Sequence, residues 1–287
     1  MNVTGKIFNK ASLRIMLNNK CWKIACSQLP IETTQLSTAQ HDIWLEKNTD
    51  KHPYREILLV LKGNSLNSLN GTSYLCSPGN LFLFDELEEH DLAYSSRNED
   101  IDHLWLCFIE GKILTRLASI RNHRFEYAGH DLIIEDKSLI SLLVDAWDSL
   151  RSSKLSDNIK REKLIARIYV FMLELKERDL NYDSTAGNTK TYQVQIIDMI
   201  KDHITSTSGK NLTIDKLARI AGYSKFHFLR LFKEHTGESI HKYINIVRVS
   251  KVKSMLRKGY SKKEISIELG FSRASAFSRW YRKNLTK

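Results

Sequence analysis

Proline is scarce: there are three residues in 287, the last of them Pro78. Nothing downstream can break a helix by ring geometry, so apolar period guides the reading there. Cysteine is nearly as rare, with four residues. Cys21, Cys26, Cys76 and Cys107 never reach CxxC spacing, which argues against a zinc-held or activated thiol and for buried free thiols in a reducing compartment. No apolar run approaches the roughly 18–20 residues that cross a bilayer. Lys6, Lys10, Arg14 and Lys20 accompany no apolar core or small-residue cleavage site, so the chain is expected to be cytoplasmic, with no membrane partner and no signal peptide. P-loop, GxGxxG and Ser/His/Asp signatures are missing as well, which removes the common nucleotide and acyl-transfer chemistries.

Acidic residues are thin in one stretch only. Asn188 to Lys287 holds 21 Lys and Arg against 7 Asp and Glu, a net of +14, while the whole chain stands at +11. The first 187 residues are therefore slightly acidic. That asymmetry points to a polyanion-binding module joined to a module with another task. Apolar residues make up 42%, enough for real cores.

From His41 to about Ile109 the texture is strand-like. Ile57–Leu61 runs to Gly63, polar turn material covers Asn64 to Gly71, and Leu81–Phe84 and Leu104–Ile109 are further runs. This predicts a small β-barrel or sandwich. After Asp136 the period becomes helical. Leu139, Leu142, Leu143, Ala146, Trp147 and Leu150 form one stripe; Leu164, Ile168, Phe171, Met172 and Leu175 form another. Two such helices pack on the barrel by default, and their stripes are also candidates for a homodimer seam. The polar segment 181–190 reads as a linker. The expected organisation is thus a sensor domain over 1–135, a helical pair over 136–180, the linker, and an all-α domain over 191–287.

Within that last domain one pattern occurs twice. Thr213 caps a helix carrying Ile214, Leu217, Ala218 and Ala221; Gly222 stops it and Ser224 caps the next, which is the sequence form of a helix-turn-helix. Ser261 to Glu264 forms a capping box, Ile265 and Leu269 point inward, and Gly270 stops that helix. At 100° per residue, Phe228, Leu231, Phe232 and His235 face inward in the first recognition helix, and Phe277, Trp280 and Tyr281 do so in the second. The outward sets are Lys225, Phe226, Leu229, Arg230 and Lys233, and then Arg273, Ser275, Ser278, Arg279 and Arg282. Arginine on such a face can bind guanine O6 and N7 bidentately, and apolar atoms can meet thymine methyls. Ser239 to about Arg257 reads as one connecting helix of roughly 28 Å. That is near the roughly 34 Å between successive major-groove segments of double-stranded DNA.

Leu212 to Ala218, Gly222 to Gly237, Arg248, and Ile265 to Arg279 together resemble the DNA-binding domain of the AraC/XylS family of bacterial transcription regulators. The resemblance implies base contacts by Phe226, Leu229, Arg230, Ser275, Ser278 and Arg279. It also implies an activator that contacts RNA polymerase, an α+β chain with a cupin-like amino-terminal β-barrel and flanking helices, and a carboxy-terminal tandem helix-turn-helix domain with a central linker helix. The family's Gly-x-x-Pro segment after the second unit does not follow Asn284, and Lys262 stands where an apolar residue is common. Both departures predict a second half-domain that is less stable or that orders fully only on DNA.

His52-Pro-Tyr-Arg-Glu56 followed by Gly63 resembles the first motif of cupins, and the stretch from Gly79 to His90 is a poorer second motif. The metal-binding set that this resemblance would supply is Asp50, His52, Glu56 and His90. The Pro and Gly usually found before the last histidine are absent, so no metal and no cofactor are expected. His52, Glu56, His90, His103 and Trp105 are instead the candidate residues for a small-molecule effector. The rival reading, a metal-dependent cupin enzyme with an accessory DNA-binding domain, rests on the same residues; a non-enzymatic regulator is the one adopted.

Overall fold

The computed structural model describes residues 8–91, 93–95, 99–121, 124–127, 132–180 and 188–285. It divides into two compact units, residues 1–188 and 189–287. The amino-terminal unit begins with α1 (Lys10–Met16), β1 (Lys23–Ala25) and α2 (Ala39–Asn48). Strands β2 (Glu56–Lys62), β3 (Ser65–Leu69), β4 (Thr72–Cys76), β5 (Asn80–Phe84), β6 (Ile101–Ile109), β7 (Lys112–Arg121), β8 (Arg124–Tyr127) and β9 (Leu132–Ile134) follow, then α3 (Lys137–Asp148) and α4 (Asp157–Leu180).

Seven strands form one sheet in the order β1-β5-β2-β6-β7-β8, with β9 also on β7; β1 runs parallel to β5 and the other pairings are antiparallel. Alternate residues serve opposite faces. Ile57, Leu59, Leu61, Leu81, Leu83, Leu104 and Leu106 join the core that α1, α3 and α4 cover. Their neighbours Glu56, Leu58, Phe82, Phe84, His103, Trp105 and Cys107 are buried on the other face. Burial on both faces explains why these strands read as continuous apolar runs. Arg55 holds the end of α3 to the sheet: it donates to Asp85 at 2.9 Å and Asp148 at 2.7 Å, and its guanidinium lies 5.3 Å from the Trp147 ring centre.

Two segments differ from expectation. His41 to Asn48 is helical, because the Thr38 side chain accepts the His41 N–H and caps α2 although its sequence has little apolar period. Ser65 to Leu69 is a strand, paired with β4 around Asn70-Gly71, whose φ angles of 49° and 77° suit a two-residue hairpin turn. The hairpin lies over the inner face of the sheet: Leu66 bridges Tyr94, Leu69 bridges His90, and the Tyr74 ring centre is 6.3 Å from that of Phe82.

The second unit is entirely helical among its described residues: α5 (Asn188–Ser206), α6 (Ile214–Ala221), α7 (Lys225–Thr236), α8 (Ile240–Arg257), α9 (Lys262–Glu268) and α10 (Ala274–Leu285). Of the expected linker, 181–187 lies outside the described residues, and 188–190 belongs to α5. Ile196, Ile200 and Ile204 are buried along α5. Among the described residues no helix is long and apolar enough to cross a membrane.

Arg248 ties this unit together. It shares a face of α8 with Ile244, donates to the Gly209 carbonyl at 2.6 Å, and lies 5.3 Å from the Phe271 ring centre at the second turn. Gly209 has φ +69°, and a Cβ there would sit 2.9 Å from Ile244 Cγ2, so the tight approach requires glycine. Arg248→Ala should cost about 2–3 kcal/mol, from a charge-assisted hydrogen bond and a cation–π contact. Urea denaturation of the full chain would read this as a lower midpoint for the helical unit. Arg248→Lys should recover little, because a lysine lacks the planar fork.

Candidate functional site

Both helix-turn-helix pairs are built as local chemistry demands. The Thr213 side chain accepts from Lys216 N–H and Gly222 closes α6 in the left-handed region at φ 72°. Ser224 caps α7 through His227 N–H. Ser261 and Glu264 form a reciprocal capping box on α9, and Gly270 lies at φ +70°. Phe228, Leu231 and Phe232 are buried in α7, and Phe277 in α10. His235, Trp280 and Tyr281 are half-buried; the His235 Nδ1 faces the Leu231 carbonyl and Trp280 Nε1 donates to Asn245 on α8 at 2.8 Å.

The opposite faces are open. On α7, Lys225, Phe226, Arg230 and Lys233 are exposed, Phe226 at 84%. Leu229 is half-buried, so it belongs only partly to the outward set. Arg230 has only a loose contact with Glu234 at 3.7 Å, and Lys225 pairs with Asp215 at 3.0 Å. On α10 and the turn before it, Arg273, Ser275, Ser278, Arg279 and Arg282 are all exposed. An aromatic left in water beside arginine on a capped helix costs apolar burial, and a groove offers that surface somewhere to go. Lys262 has a packing role here: its Nζ lies 4.7 Å from the Tyr281 ring centre.

The five effector candidates of the first unit converge on the inner face of the sheet. Phe84 stacks on His90 with ring centres 4.3 Å apart, and Trp105 lies 6.3 Å from His90 and 6.2 Å from His103. Glu56 Oε2 sits 3.1 Å from His52 Nε2 and 3.2 Å from His90 Nε2. Burial opposes ionisation of Glu56, but the two imidazoles outweigh it and hold the carboxyl far below its usual range. Asp50 is not among the atoms that converge there, and its Oδ1 accepts from the Lys51 N–H at 2.8 Å. Tyr54, which the sequence did not single out, stacks on His52 at 3.7 Å; the only sign of it was its place between His52 and Glu56.

Burial pushes the His103 imidazole down to about 3, against a small opposing effect of Asp102. The unfolded chain takes up this proton near pH 6.5 and the folded chain only near 3, so stability falls as pH drops across that window. His103→Leu should flatten this acid arm by up to about 1.4 kcal/mol per pH unit. Urea midpoints measured at pH 7, 6, 5 and 4 would check it.

Residues 38–168 match the AraC-like ligand-binding domain, and residues 217–286 match a helix-turn-helix domain family. Three relatives span most of both chains. The HTH-type transcriptional regulator YbfI of Bacillus subtilis is 23% identical over 223 residues, covering 77% of this chain and 78% of its own. The transcriptional regulator LumQ of Photobacterium leiognathi is 26% identical over 243 residues, covering 83% and 88%. The XylDLEGF operon transcriptional activator of Pseudomonas putida is 22% identical over 233 residues, covering 78% and 70%. The two domain matches fall on the buried polar face and on the paired helix-turn-helix units described above, and the chain belongs to the AraC/XylS family of transcription regulators.

Proposed function

We propose that this regulator acts in the cytoplasm as a homodimeric activator, entering two adjacent major-groove segments with α7 and α10 and touching RNA polymerase beside its site. A small molecule held against the inner sheet face by His52, Glu56, His90, His103 and Trp105 governs it. It does so only through unequal affinity for the DNA-competent and incompetent arrangements. One observation carries the DNA reading: both recognition helices bury one face in a core and leave an arginine-bearing face exposed. The 18 residues of α8 span about 27 Å, close enough to one groove repeat for a single chain to use both helices. Activator names among the relatives support the direction of control and favour sensing over catalysis for the sheet unit.

The homodimer needs a different surface from the one expected. Leu164, Ile168, Phe171, Met172 and Leu175 are fully buried in the core of the amino-terminal unit, so that stripe is consumed within the chain. On the opposite side of α4, Ile159, Ala166, Val170, Leu173 and Leu180 are exposed. Their spacing of seven, four, three and seven follows a coiled-coil seam, and a second copy of the same helix suits it.

Genomic footprinting in the host followed by hydroxyl-radical footprinting on a recovered site tests the DNA reading. The expected result is two protected patches one helical turn apart for each chain. Equal affinity for that site and random DNA at physiological salt would sink it.

A further inference from the structure

The geometry points to a divalent transition-metal site formed by His52 Nε2, Glu56 Oε2 and His90 Nε2 on the inner sheet face. It gives an occupant to part of the region assigned above to the effector, but stands on its own observations.

The first observation is a proton count. His52 Nδ1 lies 2.9 Å from the Tyr54 carbonyl, and His90 Nδ1 lies 3.1 Å from the Glu88 carbonyl. A carbonyl only accepts, so each Nδ1 carries the ring hydrogen. In a neutral ring Nε2 is then a bare lone pair, and both lone pairs face the same carboxylate oxygen, at 3.1 and 3.2 Å. With both rings neutral, three electron-rich atoms converge with no hydrogen among them. The His52 Nε2 atom is buried and makes no hydrogen bond, despite its closeness to Glu56.

The second observation is distance. The three ligand atoms all lie within 4.8 Å of one another. Metal–ligand bonds of about 2.0–2.2 Å set neighbouring ligand atoms roughly 3–3.6 Å apart, which is the spacing of both Glu56 contacts.

The third is support from behind. Imidazoles that bind metals are oriented by donating their other N–H to a carbonyl or carboxylate, and both rings do this here. Tyr54 stacks on His52 at 3.7 Å and Phe84 on His90 at 4.3 Å, which fixes the ring planes. The backbone bridge between Asp50 and His90 brings the distant histidine to the other two residues.

The competing arrangement protonates both rings and sets two imidazolium ions around one carboxylate. The three side chains are only 2–9% exposed, so that unbalanced charge is costly; placing one proton between His90 and Glu56 balances the charge but leaves the His52 Nε2 lone pair buried without a hydrogen bond. One divalent ion satisfies the same atoms with neutral histidines. Two histidines and one carboxylate leave further coordination positions open, and suit Zn²⁺, Fe²⁺ or Co²⁺ better than a hard ion such as Ca²⁺. A small molecule with an oxygen donor could then reach the ion directly.

Co²⁺ is the probe. The untagged full chain, stripped with chelator and desalted, should take up one Co²⁺ per chain with visible d–d absorption, lose it to Zn²⁺, and melt at a higher temperature when loaded. Glu56→Gln keeps the shape and removes the charged ligand; it should weaken Co²⁺ binding at least tenfold while far-UV circular dichroism stays that of the wild type. His90→Ala should abolish the d–d bands. If the folded wild-type chain shows no bands at micromolar Co²⁺, or Glu56→Gln binds as tightly as wild type, the metal site is refuted. Target-DNA affinity measured on the same samples reports on the regulator separately: its loss with Co²⁺ uptake intact counts against the DNA reading alone.

Discussion

Ile168→Asp and Leu175→Asp should each unfold the amino-terminal unit rather than separate a dimer. Both side chains are fully buried in the core that α1, α3 and α4 share with β2, β5, β6 and β7. An aspartate there has no partner and no water, and such substitutions lie beyond about 4–5 kcal/mol, much of a domain's stability. The expected signature is loss of cooperative unfolding for the sheet unit and poor soluble yield. Val170→Asp and Leu173→Asp, on the other side of the same helix, should leave circular dichroism and melting temperature nearly unchanged. In analytical ultracentrifugation they should shift the chain from dimer to monomer. A stable Ile168→Asp dimer would contradict the packing described, and a Val170→Asp/Leu173→Asp protein that still dimerises would move the interface off α4.

Arg230→Ala and Arg279→Ala should each reduce affinity for the specific site by about 1–3 kcal/mol and relax preference at one base step. The two arginines occupy matching outward positions on α7 and α10, and neither is needed for packing, since both are exposed. Lys233→Ala should instead weaken specific and random DNA alike and lower the salt slope by about one counterion. Binding isotherms against a panel of single-base variants, at two salt concentrations, separate these cases. If Arg279→Ala behaves as Lys233→Ala does, the second helix grips phosphate and only the first reads sequence.

The helix-turn-helix pairs were readable from the chain because each signal is local. Thr213, Ser224, Ser239 and Ser261 cap helices through N–H groups three residues away, and Gly222 needs only its own φ. Inward and outward faces followed from the helical period. The buried runs of β2, β5 and β6 were equally visible. Helix α2 was not: its Thr38 cap stands alone, without an apolar stripe to confirm it. Strand β3 was hidden for the opposite reason, since Ser65, Asn67 and Ser68 are polar yet buried, and only the facing sheet makes them interior. Leu229 sits at a shoulder between the two faces, where an angle cannot decide burial.

Sequence by itself determined the two helix-turn-helix units and the apolar strands: caps, glycines and apolar period mark them, because each depends on residues within a turn or two of one another, and the resemblance of the motifs pointed to the regulator family. Tertiary packing alone decided which side of α4 faces the core, that Arg248 joins Gly209 to Phe271, and that His52, Glu56 and His90 meet around one oxygen. Those outcomes depend on contacts between residues tens of positions apart, and a helix apolar on two sides or a histidine with two neighbours carries no local mark of which one it will meet.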